Sequence, residues 1–141
     1  MMHRIKLGVI GLGRMGMLHL RNVRFIEGVL VEAVADRSKK ELAKASSLGV
    51  KNLFSDFKDI IDHSSLDVVI IALPHFLHEE AVVLYAEKEL HIFIEKPLGG
   101  SVEECERIIE AAEGRSQNTL CKPCCSKYER LKTVDLPRDL N

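Results

Sequence analysis

Short runs of apolar residues alternate along the chain with longer stretches in which apolar positions recur at helical intervals. Ile5–Ile10 is mostly apolar and leads into glycine, and residues 68–73 are continuously apolar until Pro74. Continuous apolar character is typical of strands buried on both faces, as in a parallel sheet covered by helices on each side. In residues 15–26 the apolar residues Met15, Leu18, Val23 and Ile26 recur at roughly helical intervals instead, which predicts a helix.

The same alternation continues to about residue 120. The predicted strands are Ile5–Ile10, 30–35, 51–54, 67–73 and His91–Ile94, with 119–122 as one further edge strand. The predicted helices are 15–26, 39–48, 56–63, 78–89 and 102–113. Ser38 and Ser101 are each followed three positions later by glutamate, the pattern of a capping box at a helix start. Strict alternation of strands and helices predicts an α/β fold: a doubly wound parallel sheet (Rossmann fold) with helices on both faces.

The composition is that of an ordinary globular protein of one domain. The 141 residues are 46% apolar and 29% charged, and 20 basic residues against 21 acidic ones leave a net charge of −1. Without a basic tract, there is no electrostatic basis for nucleic-acid binding. No apolar run approaches the roughly 20 residues that cross a bilayer, and charge interrupts the N-terminus too early for a signal peptide. We therefore expect a cytoplasmic protein with no nucleic-acid or membrane partner.

A glycine-rich turn connects the first predicted strand to the first helix. It follows the pattern G-x-G-x-x-G and consists of Gly11, Leu12, Gly13, Arg14, Met15 and Gly16. Gly11 permits a tight turn, Gly13 lets the backbone approach a pyrophosphate, and Gly16 lets the helix pack closely on the strand. Because the helix N-terminus then offers free N–H groups and a positive dipole end to phosphates, this turn predicts dinucleotide binding.

An acidic residue follows the second predicted strand where a dinucleotide site requires one. Asp36 lies about 20 positions beyond the last glycine, the spacing typical of the carboxylate on the cofactor ribose. That carboxylate would also repel a 2′-phosphate, whereas the guanidinium of Arg37 could pair with one. The alternatives are a turn or capping carboxylate at Asp36 and a solvated arginine at position 37. The predicted cofactor is NAD or NADP, with NAD favoured by Asp36.

Two further motifs stand at the ends of the fourth and fifth predicted strands. They are Ala72-Leu73-Pro74-His75-Phe76-Leu77-His78 and Glu95-Lys96-Pro97. In this order and spacing, together with the glycine turn and His19, they resemble the Gfo/Idh/MocA family, which includes glucose-fructose oxidoreductase and inositol dehydrogenase. The resemblance implies a Rossmann domain followed by a larger α/β domain that carries the substrate pocket. It also implies hydride transfer between a nicotinamide cofactor and a sugar, polyol or similar hydroxyl substrate.

The resemblance implies a catalytic role for Lys96, which matches the family's lysine beside the nicotinamide and the substrate. Family members use that lysine in proton transfer to or from the reacting hydroxyl. A lysine becomes a useful acid or base when it is desolvated and close to other charges. Ligands of doubly wound sheets bind outside the carboxyl ends of the strands, where Lys96 is predicted to lie. The alternative is a surface lysine in a strand-to-helix loop.

The same resemblance places Leu73, Pro74 and His78 in a loop beside the cofactor. His78 could equally be a helix residue that packs on this loop. Glu95 could orient Lys96, bind ribose or be an ordinary ion-pair partner. His19 and His75 have no assigned task, and we expect them to be structural or solvated.

The pattern changes beyond residue 120. Apolar residues become sparse, and the Arg-Phe pair that the family carries after the sixth strand is missing. We assign residues 1–120 to an NAD(P)-binding Rossmann domain and residues 121–141 to a divergent or truncated tail, with the second domain absent. The isolated chain is then expected to bind the dinucleotide but to be incomplete as a catalyst, with a small-molecule substrate only if a second domain is supplied. An apolar surface left uncovered favours a homo-oligomer.

Two other functions compete with this hypothesis. A stand-alone dinucleotide sensor would fit the length, but it would not need the lysine of Glu95-Lys96-Pro97. A thiol or zinc module would use the C-x-x-C spacing of Cys121 and Cys124, with Cys125 and Cys105 as further ligands. The surroundings of these cysteines are not those of a redox helix start or of a four-ligand zinc site. We therefore predict reduced thiols and no metal site.

Overall fold

Each apolar run of the sequence forms a strand of one parallel sheet. The computed structural model describes residues 3–63, 65–115 and 119–121. The strands are β1 (Ile5–Ile10), β2 (Val29–Ala35), β3 (Asn52–Phe54), β4 (Val68–Ile71), β5 (His91–Ile94) and β6 (Thr119–Cys121). The helices are α1 (Arg14–Val23), α2 (Lys39–Ser47), α3 (Ile60–His63), α4 (His78–Glu87) and α5 (Val102–Arg115), with a 3-10 turn at His75–Leu77 before α4.

The strand order is β3-β2-β1-β4-β5-β6, and all neighbours pair in parallel. The chain therefore moves outward from β1 to β3, returns to the middle of the sheet at β4 and moves outward again on the other side. The two strands at the reversal, β1 and β4, are direct neighbours. A crevice forms at the carboxyl ends of the strands where the order reverses, and such crevices are the usual ligand sites of these sheets.

Helices cover both faces of the sheet because neighbouring residues of each strand point to opposite sides. On one face, Val9 of β1 and Ile70 of β4 pack with α1 and α2. On the other face, Ile10 and Ile71 pack with α3, α4 and α5, and Tyr85 of α4 is fully buried there. The predicted doubly wound parallel sheet is confirmed, and its two cores account for the continuously apolar strands.

Several helices are shorter than the apolar pattern predicted. α1 ends at Val23 and not at position 26, because the chain turns toward Gly28, which has φ +80°. Phe25 and Ile26 lie in this turn and are exposed, so their helical spacing was coincidental. α3 begins at Ile60 and not at position 56. α4 ends at Glu87, two residues early, because Glu89 adopts the left-handed backbone conformation with φ +56°.

The predicted helix starts at the two serines are confirmed. The N–H group of Glu41 donates to Oγ of Ser38 over 3.4 Å, and that of Glu104 donates to Oγ of Ser101 over 3.1 Å. Position 122 and the predicted tail beyond it, with Cys124 and Cys125, lie outside the described residues. In the described part of the chain, no helix has the length and apolar character needed to span a membrane. The described residues also contain no group of three or more His, Cys, Asp or Glu side chains placed to hold a metal ion.

Candidate functional site

The turn between β1 and α1 is tight because of two of its glycines. Gly11 has φ +87°, and a Cβ atom there would lie 2.6 Å from the carbonyl oxygen of Ala72. A Cβ atom on Gly16 would lie 1.7 Å from the carbonyl oxygen of Gly11. Any side chain at either position would collide with backbone, so the fold itself accounts for both glycines.

Gly13 differs from its two neighbours in the motif. Its φ of −67° is open to any residue. A Cβ atom there would meet no other atom within 4 Å. The fold alone therefore does not require glycine at this position. Gly13 lines a cleft, and a side chain would occupy open space that a ligand close to the backbone would need.

The N-terminus of α1 lacks both the side-chain cap found at α2 and α5 and the acidic first-turn residues found in α2, α4 and α5. Gly13 provides no side-chain cap, and the first turn of α1 contains no acidic residue. By contrast, α2 begins with a serine cap and Glu41, and α5 has a serine cap with acidic residues in its first turn. Because an uncapped helix start has unsatisfied N–H groups and a positive dipole end, α1 is suited to bind an anion.

Asp36 joins the end of β2 to the glycine turn. The N–H group of Leu12 donates to its Oδ2 atom over 2.6 Å, and the N–H group of Ser38 donates to Oδ1 over 2.7 Å. The carboxylate is thus held in one orientation from both sides. Since a carboxylate has about four acceptor positions, two backbone donors leave it able to accept further hydrogen bonds from a ligand.

The cleft at the carboxyl edge of the sheet has a volume of about 590 Å³. It crosses the ends of five adjacent strands, from β3 to β5, a span of about 19 Å at the usual spacing of parallel strands. Its lining consists of Gly11, Gly13, Arg14, Met15, Ala35, Asp36, Arg37, Ser55, Asp56, Phe57, Ala72, Leu73, Pro74, Phe76, Leu77, Glu95 and Lys96. A site of this length can hold an extended ligand with two different ends.

The fold brings nearly all of the predicted cofactor-binding residues to this one cleft. Leu12, Gly16 and His78 are the exceptions, and all three are buried. His78 is 1% exposed, with Nδ1 2.9 Å from the carbonyl oxygen of Leu98 and Nε2 2.8 Å from that of Leu73. Its ring therefore braces the loops that follow β4 and β5 from behind the cleft.

The buried carboxylate of Glu95 pairs with His19, a histidine to which the sequence assigned no task. The side chain of Glu95 is 5% exposed, and its Oε1 atom lies 2.5 Å from Nε2 of His19 on α1. The His19 ring in turn meets the ring of Phe93 edge-on, with 5.5 Å between centroids. The next residue, Lys96, is exposed and lines the cleft.

The loop after β3 supplies lining residues that sequence reasoning missed. Ser55, Asp56 and Phe57 lie at the far end of the cleft from Lys96. The hydroxyl of Tyr85 donates to the carbonyl oxygen of Phe57 over 2.8 Å and anchors this loop to α4. Burial, with a smaller contribution from the charge of Asp56, raises the pKa of the Tyr85 phenol. These three residues could have been predicted from their position directly after a strand, since every segment that follows a parallel strand begins at the carboxyl edge of the sheet.

The chain that forms this cleft matches a known protein family. Residues 5–121 match the model for Gfo/Idh/MocA proteins, described as an oxidoreductase family with an NAD-binding Rossmann fold. The chain is 32% identical over 107 residues to myo-inositol 2-dehydrogenase of Thermotoga maritima, a match that covers 75% of this chain and 32% of the relative. It is 33% identical over 112 residues to scyllo-inositol 2-dehydrogenase (NAD(+)) of Bacillus subtilis, covering 78% and 33%.

A glycosyl hydrolase family 109 protein of Shewanella woodyi is also similar, at 29% identity over 126 residues, which is 82% of this chain and 27% of the relative. Among solved structures, scyllo-inositol dehydrogenase of Lactobacillus casei with bound NAD(H) and scyllo-inositol superposes with a TM-score of 0.79 at 30% identity. That match covers 84% of this chain and 36% of the other. The chain thus spans about a third of the length of these relatives.

Proposed function

The chain belongs to the Gfo/Idh/MocA oxidoreductase family, and from this premise we propose that its cleft binds NAD for hydride transfer to or from a hydroxyl-bearing substrate. Gly13 is the observation that carries the proposal. The backbone has no need of glycine there, whereas a pyrophosphate lying against the start of α1 does. The uncapped N-terminus of α1 would provide N–H donors for the same phosphates.

The two ends of the cleft suit the two halves of a dinucleotide. Asp36, held by two backbone donors, would accept hydrogen bonds from the hydroxyls of the adenosine ribose. Ser55 and Phe57 border the space beyond it, where the adenine would lie. The opposite end, with Leu73, Pro74 and Glu95, would hold the nicotinamide half. His78 would contribute by bracing the loops and not by touching the cofactor.

We propose a preference for NAD over NADP. Asp36 and Asp56 both border the adenosine end of the cleft, and their carboxylates would repel a 2′-phosphate. Arg37 is exposed at the same end and is the one lining residue there that could pair with that phosphate. Two carboxylates against one solvated guanidinium favour the cofactor without the phosphate.

The catalytic residue proposed for this chain is Lys96. It lines the cleft at the end that would hold the nicotinamide, and its ammonium group is exposed to an arriving substrate. Bound NAD would supply the hydride acceptor, and Lys96 would exchange the proton of the reacting hydroxyl. A sugar or polyol is the proposed substrate class, since relatives at this similarity are named inositol dehydrogenases.

We propose that the rest of the substrate site comes from a second domain, because the relatives are about three times as long as the match. Relatives named as inositol dehydrogenases and as a glycosyl hydrolase share this cofactor half. Substrate choice would therefore depend on residues outside it. A stand-alone sensor has no observation in its favour, because the named relatives are all enzymes.

Thermal melting with cofactor tests the proposal directly. A ligand that binds only the folded state stabilises it by about 2.7 kcal/mol when its concentration is a hundredfold above Kd. At equal concentrations, NAD should therefore raise the melting temperature more than NADP does, because NAD is the cofactor proposed to bind more tightly. Gly13→Ala should melt close to the wild type without ligand but lose the NAD-induced shift. If NAD binds Gly13→Ala as well as the wild type, the pyrophosphate does not lie against this residue.

Gly114→Ala is the matched control for this substitution. Gly114 lies in α5, and a Cβ atom there would also meet nothing within 4 Å. Alanine should stabilise the helix by about 0.5–1 kcal/mol and leave the NAD-induced shift unchanged. A loss of cofactor binding in this control would mean that the assay reports general stability and not the cleft.

A further inference from the structure

Glu95 has one carboxylate oxygen with a partner and one without. Oε1 lies 2.5 Å from Nε2 of His19, while Oε2 has no hydrogen-bond partner among the described residues. The side chain is only 5% exposed, yet Glu95 lines the cleft. Because a buried acceptor without a donor is costly, this oxygen marks a place where a ligand is expected to donate a hydrogen bond.

The position of Glu95 in the cleft indicates which part of a ligand could donate a hydrogen bond to Oε2. It follows β5, whereas Asp36 follows β2 on the other side of the glycine turn. A dinucleotide with its pyrophosphate at that turn and one ribose at Asp36 would bring its second ribose toward Glu95. Ribose hydroxyls are donors that match a carboxylate oxygen. This step rests on the proposed function, since it needs a dinucleotide in the cleft.

We propose that His19 is a positioning residue that holds the Glu95 carboxylate ready for the hydroxyls of the second ribose. The Glu95 side chain has several rotatable bonds, and the contact to His19 is its only side-chain hydrogen bond among the described residues. The His19 ring is itself held by edge-on contact with Phe93. Through these contacts, a residue of α1 orients the carboxylate that directly follows β5.

Two conservative variants separate positioning from general structure. In glutamine the amide nitrogen lies near the place of Nε2 of histidine, so His19→Gln keeps a donor for Oε1. Asparagine is one methylene shorter, and its amide nitrogen lies nearer the place of Nδ1, so His19→Asn lacks that donor. Both substitutions are polar and uncharged, so they differ mainly in whether Glu95 retains its partner.

The experiment is calorimetric titration of the full chain with ADP and with ADP-ribose, which differ by the second ribose. Wild type and His19→Gln should bind ADP-ribose more tightly than they bind ADP. His19→Asn should bind ADP-ribose about tenfold more weakly than the wild type does, while its affinity for ADP should be unchanged. In a Glu95→Ala background, His19→Asn should have no further effect.

Each alternative result has a distinct meaning. If His19→Asn weakens the binding of ADP and of ADP-ribose equally, His19 does not act through Glu95 and the inference is overturned. The same follows if His19→Asn further weakens the binding of ADP-ribose in the Glu95→Ala background. If His19→Gln loses as much as His19→Asn, a donor at Nε2 is not what matters, with the same consequence. If the wild type binds neither compound and does not bind NAD, the proposed cofactor function itself fails.

Discussion

Residues around the cleft serve the fold and the proposed ligand to different degrees. Gly11 and Gly16 are explained by backbone contacts, and Gly13 is not. Asp36 belongs to both groups, because it orders the glycine turn through Leu12 while facing the cleft. Because the same carboxylate holds the turn and borders the cleft, a change at Asp36 would alter both the glycine turn and the end of the cleft beside it.

This double role predicts that Asp36→Asn destabilises the protein without cofactor. Asparagine offers one acceptor oxygen in place of two, so either Leu12 or Ser38 loses the acceptor for its N–H group. We expect a loss of about 1–3 kcal/mol in the free energy of unfolding, measured by urea denaturation. Asp59→Asn, at an exposed position, should change it by less than about 0.5 kcal/mol. Equal effects in both variants would contradict a structural role for the Asp36 carboxylate.

A second prediction concerns Tyr85, whose hydroxyl anchors the carbonyl group of Phe57. Tyr85→Phe should cost about 1–3 kcal/mol near neutral pH, because the buried carbonyl oxygen loses its donor. Chemical denaturation of both proteins at pH 7 measures this difference. A loss below about 0.5 kcal/mol would show that water satisfies the carbonyl group in the variant.

The raised pKa of the Tyr85 phenol gives a separate pH dependence. The folded state holds the phenolic proton more tightly than the unfolded state, whose pKa is about 10. The stability from this group is fully present below about pH 10 and is lost as the pH rises further. Wild type should therefore lose stability between pH 9 and 11 faster than Tyr85→Phe, whereas parallel curves would contradict burial of the phenol.

At the scale of secondary structure, helix starts divide into capped and uncapped ones. Serine caps close α2 and α5, while α1 begins at a glycine without a side-chain cap. Capping was readable from sequence, because the serine and the glutamate three positions later are local features. Helix ends were harder to predict from the sequence. The helix α1 ends at Val23, before the turn at Gly28, although the apolar spacing continues through Ile26.

Capping predicts opposite effects for one substitution at two places. Ser101→Ala should destabilise the protein by about 1 kcal/mol, because the Glu104 N–H group loses its side-chain acceptor. Ser47→Ala should be neutral or slightly stabilising, since its hydroxyl bonds back to the carbonyl oxygen of Ala43 within α2. Thermal denaturation of both variants checks this contrast. A larger loss for Ser47→Ala would refute the assignment of Ser101 as a cap.

In the fold as a whole, one sheet with two cores forms the cleft at its carboxyl edge. Strand order sets the cleft, because the reversal between β1 and β4 places the glycine turn in the middle of the carboxyl edge. In the proposed complex, the adenosine half of the cofactor would lie toward β3 and the nicotinamide half toward β5. The Rossmann fold was predicted from the alternation of strands and helices, and the family from the glycine turn with the two later motifs. The match over residues 5–121 confirms both predictions.

Self-association remains a prediction at this scale. Phe25 is 87% exposed and Ile26 53% exposed in the turn after α1. Exposed apolar groups favour association, so light scattering during size-exclusion chromatography should show a homo-oligomer. Phe25→Ser should weaken association while changing monomer stability by less than about 0.5 kcal/mol. A monomer at high concentration would contradict the expectation.

The strands, the capped helices, the glycine turn and the position of Asp36 after β2 were predictable from the sequence, because each depends on residues close together in the chain. Local periodicity and turn chemistry carry that information directly. Only the tertiary structure brought His19 to Glu95, 76 positions away, and placed His78 behind the cleft. Those contacts depend on strand order and helix packing, which bring distant residues together without leaving a pattern in the sequence.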